Sequence, residues 1–362
     1  MKDREEFKKV LLMQYERYPG MQIADMVKLI YQNEFAGGHF IAHEDECLKG
    51  LTEELRILEK GSGAYIPPVP FEDIGNGLCR FYLVSEQISG IDIGTLNRFF
   101  ISTSNSIRGN VQSFERKLNI FKQCCIDGDL PYKPEEAEAW LDEYRRRGYP
   151  PMHHSGEYKA LYSPAYRIIK LDYMHYLEIF RKIDSLLKSH DRILAAIDGN
   201  CGAGKSTLAA LMGDVYNCNI FHMDHFFLRP EQRTRERMEE IGGNVDYERF
   251  REEVIAGILR GSEFKYRIYD CKRGVMDEYK TVRPKKLNII EGAYSMHPAL
   301  TGYYDLKIFL SIDEKKQRDR ILERNGEVIL EQFLSKWIPL ENRYFEQLKI
   351  EEKCDLAYRD NR

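Results

Sequence analysis

The run Asp198-Gly199-Asn200-Cys201-Gly202-Ala203-Gly204-Lys205-Ser206-Thr207 decides how the second half of this chain is read. It matches G-x-x-x-x-G-K-[ST] in full, with Gly199, Gly204, Lys205 and Ser206 at the fixed positions. Before it stands Arg192-Ile-Leu-Ala-Ala-Ile-Asp198, apolar and of strand length; after it comes Leu208-Ala-Ala-Leu-Met212, made of good helix formers. Strand, glycine turn and helix start form the geometry that phosphate binding requires. The glycines let successive N–H groups converge on one anion, and the helix N-terminus adds positive potential. Residues 199–207 are therefore expected to bind ATP, with Lys205 reaching the β- and γ-phosphates and the Ser206 hydroxyl on Mg2+.

Working outward, 362 residues suffice for two domains, each with its own core. A hydrophobic content of 43% with 31% charged residues is that of an ordinary globular chain. A net charge of −4 and a pI near 6.2 leave no electrostatic footprint for nucleic acid. No apolar run approaches the roughly 20 residues of a membrane span, and the charged N-terminus lacks the apolar core of a signal peptide. The eight cysteines show neither C-x-x-C nor metal-ligand spacing. A cytoplasmic protein with a small-molecule substrate, no nucleic acid and no membrane is the expectation.

The first half, residues 1–188, reads as a mainly helical domain. Apolar residues recur at helical spacing over residues 4–31, broken at Pro19-Gly20, and again over 44–60. Between them Glu34, Gly37, Gly38 and His39 make either a loop around a ligand or a tight inter-helix turn. Residues 61–77 read as a long connection without regular structure, and 78–84 as a strand or a helix start. Residues 93–127 look helical. A further helix over 134–147 has Pro at its first position and three arginines at its end, which suit the dipole better than an anion site. Then His153, His154, Tyr158, Tyr162, Tyr166 and Arg167 cluster: suitable for holding a small ligand, equally suitable as packing against a neighbour. A long helix over 168–187 leads into the phosphate loop's strand.

In the second half, residues 189–362, the run Asn219-Ile-Phe-His-Met-Asp224 reads as a buried strand ending in an acid. In a doubly wound sheet ligands sit at the carboxyl ends of strands, which places Asp224 near the phosphates as a base or near the metal's water shell. Residues 229–238 are charged and read as mobile. Asp246 is expected to cap a helix running to 259. Residues 265–270 alternate like a strand, and 271–280 form a charged excursion containing Arg273. Leu287-Asn-Ile-Ile-Glu291-Gly292 is a buried strand ending in a carboxylate, the pattern of a Walker B element whose acid reaches Mg2+. Residues 305–312 form another strand. The following helix places Arg320 and Arg324 on one face, where they could close over transferring phosphates or merely pair with glutamates. A last helix spans 330–348, and 355–358 is a closing strand.

This order of pieces resembles the uridine kinase and phosphoribulokinase group of P-loop kinases, which also includes bacterial pantothenate kinase. The resemblance rests on Gly199…Lys205-Ser206, Met223-Asp224-His-Phe-Phe227, Asn244-Val-Asp246, Ile268-Tyr-Asp270 with Arg273, Ile290-Glu291-Gly292, and the pair Arg320 and Arg324. It covers roughly residues 190–362 and leaves the first half untouched. It implies an α/β domain with a parallel five-stranded sheet between helices. Asp224 is then the base, Glu291 the acid near Mg2+, Arg320 and Arg324 lid arginines, and Asp246, Tyr269 and Arg273 the acceptor side. Two departures bear on the acceptor: Tyr247-Glu248 stands where the group's uridine kinases have His-Pro, and Asn325-Gly326 where an arginine-rich lid continues. The expectation is an ATP- and Mg2+-dependent kinase acting on a hydroxyl of a nucleoside or sugar-like metabolite. A nucleotide-dependent switch with a helical partner-binding domain, or a kinase with a macromolecular acceptor, are the alternatives.

Overall fold

The computed structural model describes residues 2–38, 40–60, 69–84, 88–271 and 273–360. The chain divides into two compact units, residues 1–181 and 182–362.

The first unit is helical with a small sheet. Its helices include Lys2–Arg17, Ile23–Phe35, Glu44–Lys60, Ile93–Ser106, Val111–Ile126 and Pro134–Arg146. The Asp92 and Asn110 side chains cap two of them by accepting N–H bonds in the first turn. The apolar stripes of Lys2–Arg17, Ile23–Phe35, Val111–Ile126 and Pro134–Arg146 meet in one core around Leu11, Val27, Phe114 and Leu141. Three strands, β1 (Phe71–Gly75), β2 (Leu78–Tyr82) and β3 (Tyr166–Lys170), form an antiparallel sheet in the order β1-β2-β3.

This sheet corrects two expectations and decides a third that was open. The stretch expected to lack regular structure carries β1 and the tight turn into β2, while residues 61–68 lie outside the described set. Residues 78–82 are a strand, not a helix start. The single helix expected over 168–187 is instead β3, a short helix Leu171–His175 and a longer one, Leu177–Ser189. Every residue of β2 is buried, so its pattern lacks the alternation that marks a half-exposed strand.

The aromatic and polar groups at residues 153–167 mostly engage one another and their neighbours inside this unit. Arg80, fully buried, donates to Gln14 Oε1 (2.9 Å) and, through two nitrogens, to Gln32 Oε1 (3.1 and 2.8 Å). Gln32 donates to the Tyr166 hydroxyl (3.0 Å), which meets His154 Nε2 (2.5 Å), whose Nδ1 meets Asp25 Oδ1 (2.8 Å). A neutral imidazole protonated on Nδ1 satisfies both contacts. On the other side Glu72 accepts from Gln14, Arg17 and Tyr18. Glu34 is likewise taken: it accepts from Lys117, Ser113 and the Asn110 N–H. Arg167 pairs with Glu54, and His153 is exposed. His39 lies outside the described residues.

Burial, reinforced by the nearby charges of Arg80 and Lys28, pushes the His154 pKa down from 6.5 to about 4, against the pull of Asp25. A histidine whose folded pKa is depressed binds its proton more readily when unfolded. Stability from this group is therefore complete above 6.5 and falls as pH drops toward 4, by up to about 1.4 kcal/mol per pH unit. Urea unfolding at pH 7, 6 and 5 should show that loss, and His154→Asn should flatten it; an equal slope in both proteins would count against the buried neutral histidine.

The second unit is an α/β layer. Five parallel strands, β4 (Ile193–Gly199), β5 (Cys218–His222), β8 (Leu287–Glu291), β9 (Leu306–Ile312) and β10 (Leu356–Asp360), lie in the order β10-β9-β4-β8-β5. The central strands β4 and β8 are buried throughout, as their uninterrupted apolar runs require. The expected charged excursion after residue 270 is a second strand: β6 (Phe264–Asp270) and β7 (Val275–Val282) form a separate antiparallel hairpin. The expected helix over 330–348 is broken into Glu327–Gln332, a wide turn Phe333–Trp337, and Ile338–Leu348 with Pro339 in its first turn. The segment read as mobile forms short helical turns, and Arg237 there donates to Glu248 and to the carbonyls of Gly243 and Val245.

Candidate functional site

The register of the parallel sheet brings the chemistry to one edge. Glu291, the last residue of β8, stands opposite Ile197 on one side and His222 on the other. Gly199 stands opposite Leu310. The carboxyl ends of β4, β8 and β5 therefore share one level, with Asp224 in the turn Met223–Phe226 just beyond β5.

The phosphate loop turns sharply off β4. Gly199 adopts φ +137°, and a Cβ there would lie 1.9 Å from the Leu310 carbonyl oxygen, so only glycine fits. Asn200 N–H donates to that same carbonyl (3.1 Å), and Ala203 N–H donates back to Asn200 O (3.1 Å). Gly204, in the left-handed region, precedes the helix Lys205–Gly213, which carries Ser206 and Thr207 in its first turn. The Lys205 ammonium, nearly buried, donates to the carbonyls of Gly199 (2.8 Å) and Asn200 (2.9 Å). The Ser206 hydroxyl donates to Glu291 Oε2 (3.0 Å), and His222 Nδ1 contacts the other Glu291 oxygen.

Asp224 opens to solvent at the mouth of this edge, yet protein atoms crowd it from the other side. That burial first, and the Glu291 charge second, raise its pKa, while Lys205, His222 and Arg324 pull it back. Its neighbour His225 is pushed down to about 4 by burial and by His222, and its Nδ1 has no hydrogen-bond partner among the described residues.

Of the two arginines expected on a lid, Arg320 braces the loop: it donates to Gly202 O (3.0 Å) and to Asp360 Oδ2 (2.7 Å). Arg324 is exposed, with Nε on Asn325 Oδ1 (2.7 Å). Among the acceptor-side residues, Asp246 is buried, accepting from the Arg249 N–H (3.1 Å) and from Gln232 (2.9 Å). It is the N-cap expected of it, at the turn Tyr247–Arg249. Tyr269 is buried in β6, and Arg273 is exposed at the hairpin end beside Asp270.

Several residues of the site carry no motif, and all but one of them are visible only in three dimensions. Asp198, fully buried, accepts from the N–H groups of Gly199 (2.7 Å), Tyr294 (3.2 Å) and Met296 (2.9 Å) and from the Tyr344 hydroxyl (2.9 Å). It clamps the loop after β8, where Tyr294 is held at φ +70°. Burial still lifts its pKa to about 6 against those donors and the Lys205 charge. Gln317 donates to the Cys201 carbonyl (2.9 Å), and Glu341 accepts the Cys201 N–H (2.9 Å). Arg249, stacked on Phe226 at 4.1 Å, donates to the carbonyls of His225 (2.8 Å) and Arg267 (2.7 Å), tying the Asp224 turn to the hairpin. Asp198 alone had a signal in the sequence, as the acid that ends the strand before the loop.

The site's polar donors are hard oxygens, Ser206 and Glu291 side by side with Asp224 nearby; among the described residues no group of three or more His, Cys, Asp or Glu could hold a metal unaided. That composition fits a cation that keeps water and phosphate oxygens in its shell, as Mg2+ does. Among the described residues no helix is long and apolar enough to cross a membrane.

No protein-family model and no curated protein sequence matches the chain. Among solved structures it is similar to a possible uridine kinase from Bacillus stearothermophilus, with 20% identity over 50% of this chain and 99% of that one, at a TM-score of 0.38. It is similar also to a candidate fructose transport system kinase from Silicibacter sp. TM1040, with 23% identity over 46% of this chain and 90% of that one, at a TM-score of 0.36. A third, TT1252 from Thermus thermophilus, is 17% identical over 48% of this chain and 91% of that one, at 0.29. These similarities extend over about half of the chain and are loose in superposition, so the functional reading below rests on the geometry of the site itself.

Proposed function

We propose that the chain is an ATP- and Mg2+-dependent kinase that transfers the γ-phosphoryl group to a hydroxyl of a small metabolite. One observation carries this reading: a phosphate loop whose Ser206 meets Glu291, with Asp224 at the end of the next strand of the same sheet edge. A loop and helix N-terminus bind the phosphate chain. A carboxylate placed beyond them, open to solvent and raised in pKa, suits proton abstraction from an incoming alcohol.

In this reading the loop N–H groups and Lys205 hold the β- and γ-phosphates, with Lys205 exchanging its carbonyl contacts for phosphate oxygens. Ser206 and Glu291 would hold the metal, which neutralises phosphate charge when bound. Asp224 takes the acceptor's hydroxyl proton onto a carboxylate oxygen as the alcohol oxygen attacks the γ-phosphorus. The bond to the bridging oxygen breaks and ADP leaves. Arg324, exposed and within electrostatic reach of Asp224, supplies positive charge to the transferring group. Asp246, Tyr269 and Arg273 belong to the acceptor side, where the departures from the uridine kinase pattern leave a nucleoside or a sugar-like alcohol as the acceptor class.

The test is ADP release from MgATP in the presence of pooled nucleosides, sugars, vitamins and amino-alcohols, with Lys205→Ala as the blank. Acceptor-dependent release in the wild type, absent from the blank, is the expected outcome. Tight nucleotide binding with no stimulation by any pool would sink the small-molecule reading and leave a switch or a macromolecular acceptor.

A further inference from the structure

Helix Ile338–Leu348 is fixed to the phosphate loop at two points less than one turn apart. The Tyr344 hydroxyl donates to Asp198 Oδ2 (2.9 Å), and Glu341, three residues earlier, accepts the Cys201 N–H on Oε2 (2.9 Å). Asp198 is itself clamped by three backbone N–H groups, so the helix cannot swing away without breaking buried hydrogen bonds. Glu341 is only 6% exposed. An N–H of the loop is thus already engaged by a protein carboxylate.

The charge stands in a crowded place. Burial raises the Glu341 pKa, and the two charges it feels in the site are Lys205, which opposes that rise, and Asp224, which adds to it. Glu291 lies on Ser206 at the next position of the loop's helix. Lys205 is thus within electrostatic reach of Asp198, Asp224 and Glu341, and Arg320 is already engaged by Asp360 and Gly202.

Resting on the nucleotide-site reading above, we propose that Glu341 is a charge gate: its fixed carboxylate makes binding of a nucleoside triphosphate at this loop conditional on a divalent cation. A bare triphosphate brings uncompensated negative charge up to the Glu341, Asp224 and Glu291 carboxylates. Like charges in a partly dehydrated site repel far more strongly than in water. The same chain with a divalent cation on its outer phosphates arrives largely neutralised there. ADP, one phosphate shorter, brings less charge to this end of the loop and is penalised less without metal.

Calorimetric titration of the full-length chain with ATP and with ADP, each in excess Mg2+ and in EDTA, tests this in wild type and Glu341→Gln. The substitution keeps an oxygen for the Cys201 N–H while removing the charge. The wild type should bind metal-free ATP at least about 100-fold more weakly than MgATP, and more weakly than metal-free ADP. Glu341→Gln should tighten metal-free ATP about tenfold or more and leave MgATP within about threefold. An unchanged ratio of the two affinities overturns the proposal, and so does an equal loss of both, which reduces Glu341 to a brace. If the variant fails to fold, the wild type still decides: metal-free ATP binding as tightly as metal-free ADP overturns the gate. A wild type that binds no nucleotide at all removes the nucleotide site and the gate together, an outcome distinct from the others because those leave MgATP binding in the wild type intact.

Discussion

Asp224→Asn should lower acceptor-dependent phosphoryl transfer by about 100-fold or more while changing MgATP affinity by less than about threefold. The amide matches the carboxylate in shape but cannot take up a proton, so the loss isolates base catalysis, whose usual contribution is of this size. Asp224 is suited to the role because its surroundings raise its pKa: burial on one side and Glu291 on the other make it a better proton acceptor than a free aspartate. Among the described residues it makes no hydrogen bond or ion pair with the loop that carries Gly199, Lys205 and Ser206. Steady-state rates with the acceptor found by the pool screen, alongside calorimetric MgATP binding, check the split. A variant that keeps near-normal turnover removes Asp224 as the base. One that loses MgATP affinity in step with rate makes it a metal-holding acid instead.

The second large effect lies in the first unit. Arg80→Met should destabilise that unit by about 3–5 kcal/mol, because it leaves the rest of a buried polar chain without its central donor. Gln14 Oε1 and Gln32 Oε1 would both lose their guanidinium contacts, and Glu72 would lose the positive charge that helps hold its pKa below the ordinary carboxylate range against burial. Arg80→Lys should not restore the loss, since one ammonium cannot reach two separate amides as the planar fork does. For a unit of this size the penalty corresponds to a fall of about 10 °C in its thermal transition. Calorimetry of the full-length chain reads it directly. A melting temperature unmoved by Arg80→Met would mean that water replaces the guanidinium and the chain of contacts is not cooperative.

The two halves of the chain differ in how much of them could be read in advance, and the difference has a physical cause. Parallel strands buried on both faces appear as short apolar runs, so 193–199, 287–291 and 306–312 were legible to within a residue, whereas the edge strand β5 is only partly buried and stops at His222, two residues before the Asp224 expected to end it. In the first half β2 is equally buried, but its five residues, Leu78-Cys-Arg-Phe-Tyr82, include a charged arginine. Nothing local indicates that Arg80 is to be paired by Gln14 and Gln32 from two separate helices. The cluster of His154, Tyr158 and Tyr166 was legible as a cluster but not as one packed against itself. Whether such groups face a ligand or each other depends on partners more than one hundred residues away, such as Asp25 and Gln32.

The sequence by itself determined the glycine loop, the strand and helix that flank it, and the acids at or just beyond the ends of the neighbouring strands. Each of these is a local feature, fixed by residue type and spacing over ten residues or fewer. Only the tertiary structure decided what surrounds them. Glu291 meets Ser206 because two parallel strands pair in one register. Glu341 reaches the Cys201 N–H from 140 residues further along the chain, and Arg320 turns to Gly202 and Asp360. Those contacts come from chain segments that the sheet order brings together, and no periodicity or motif in the sequence encodes a meeting between residues so far apart.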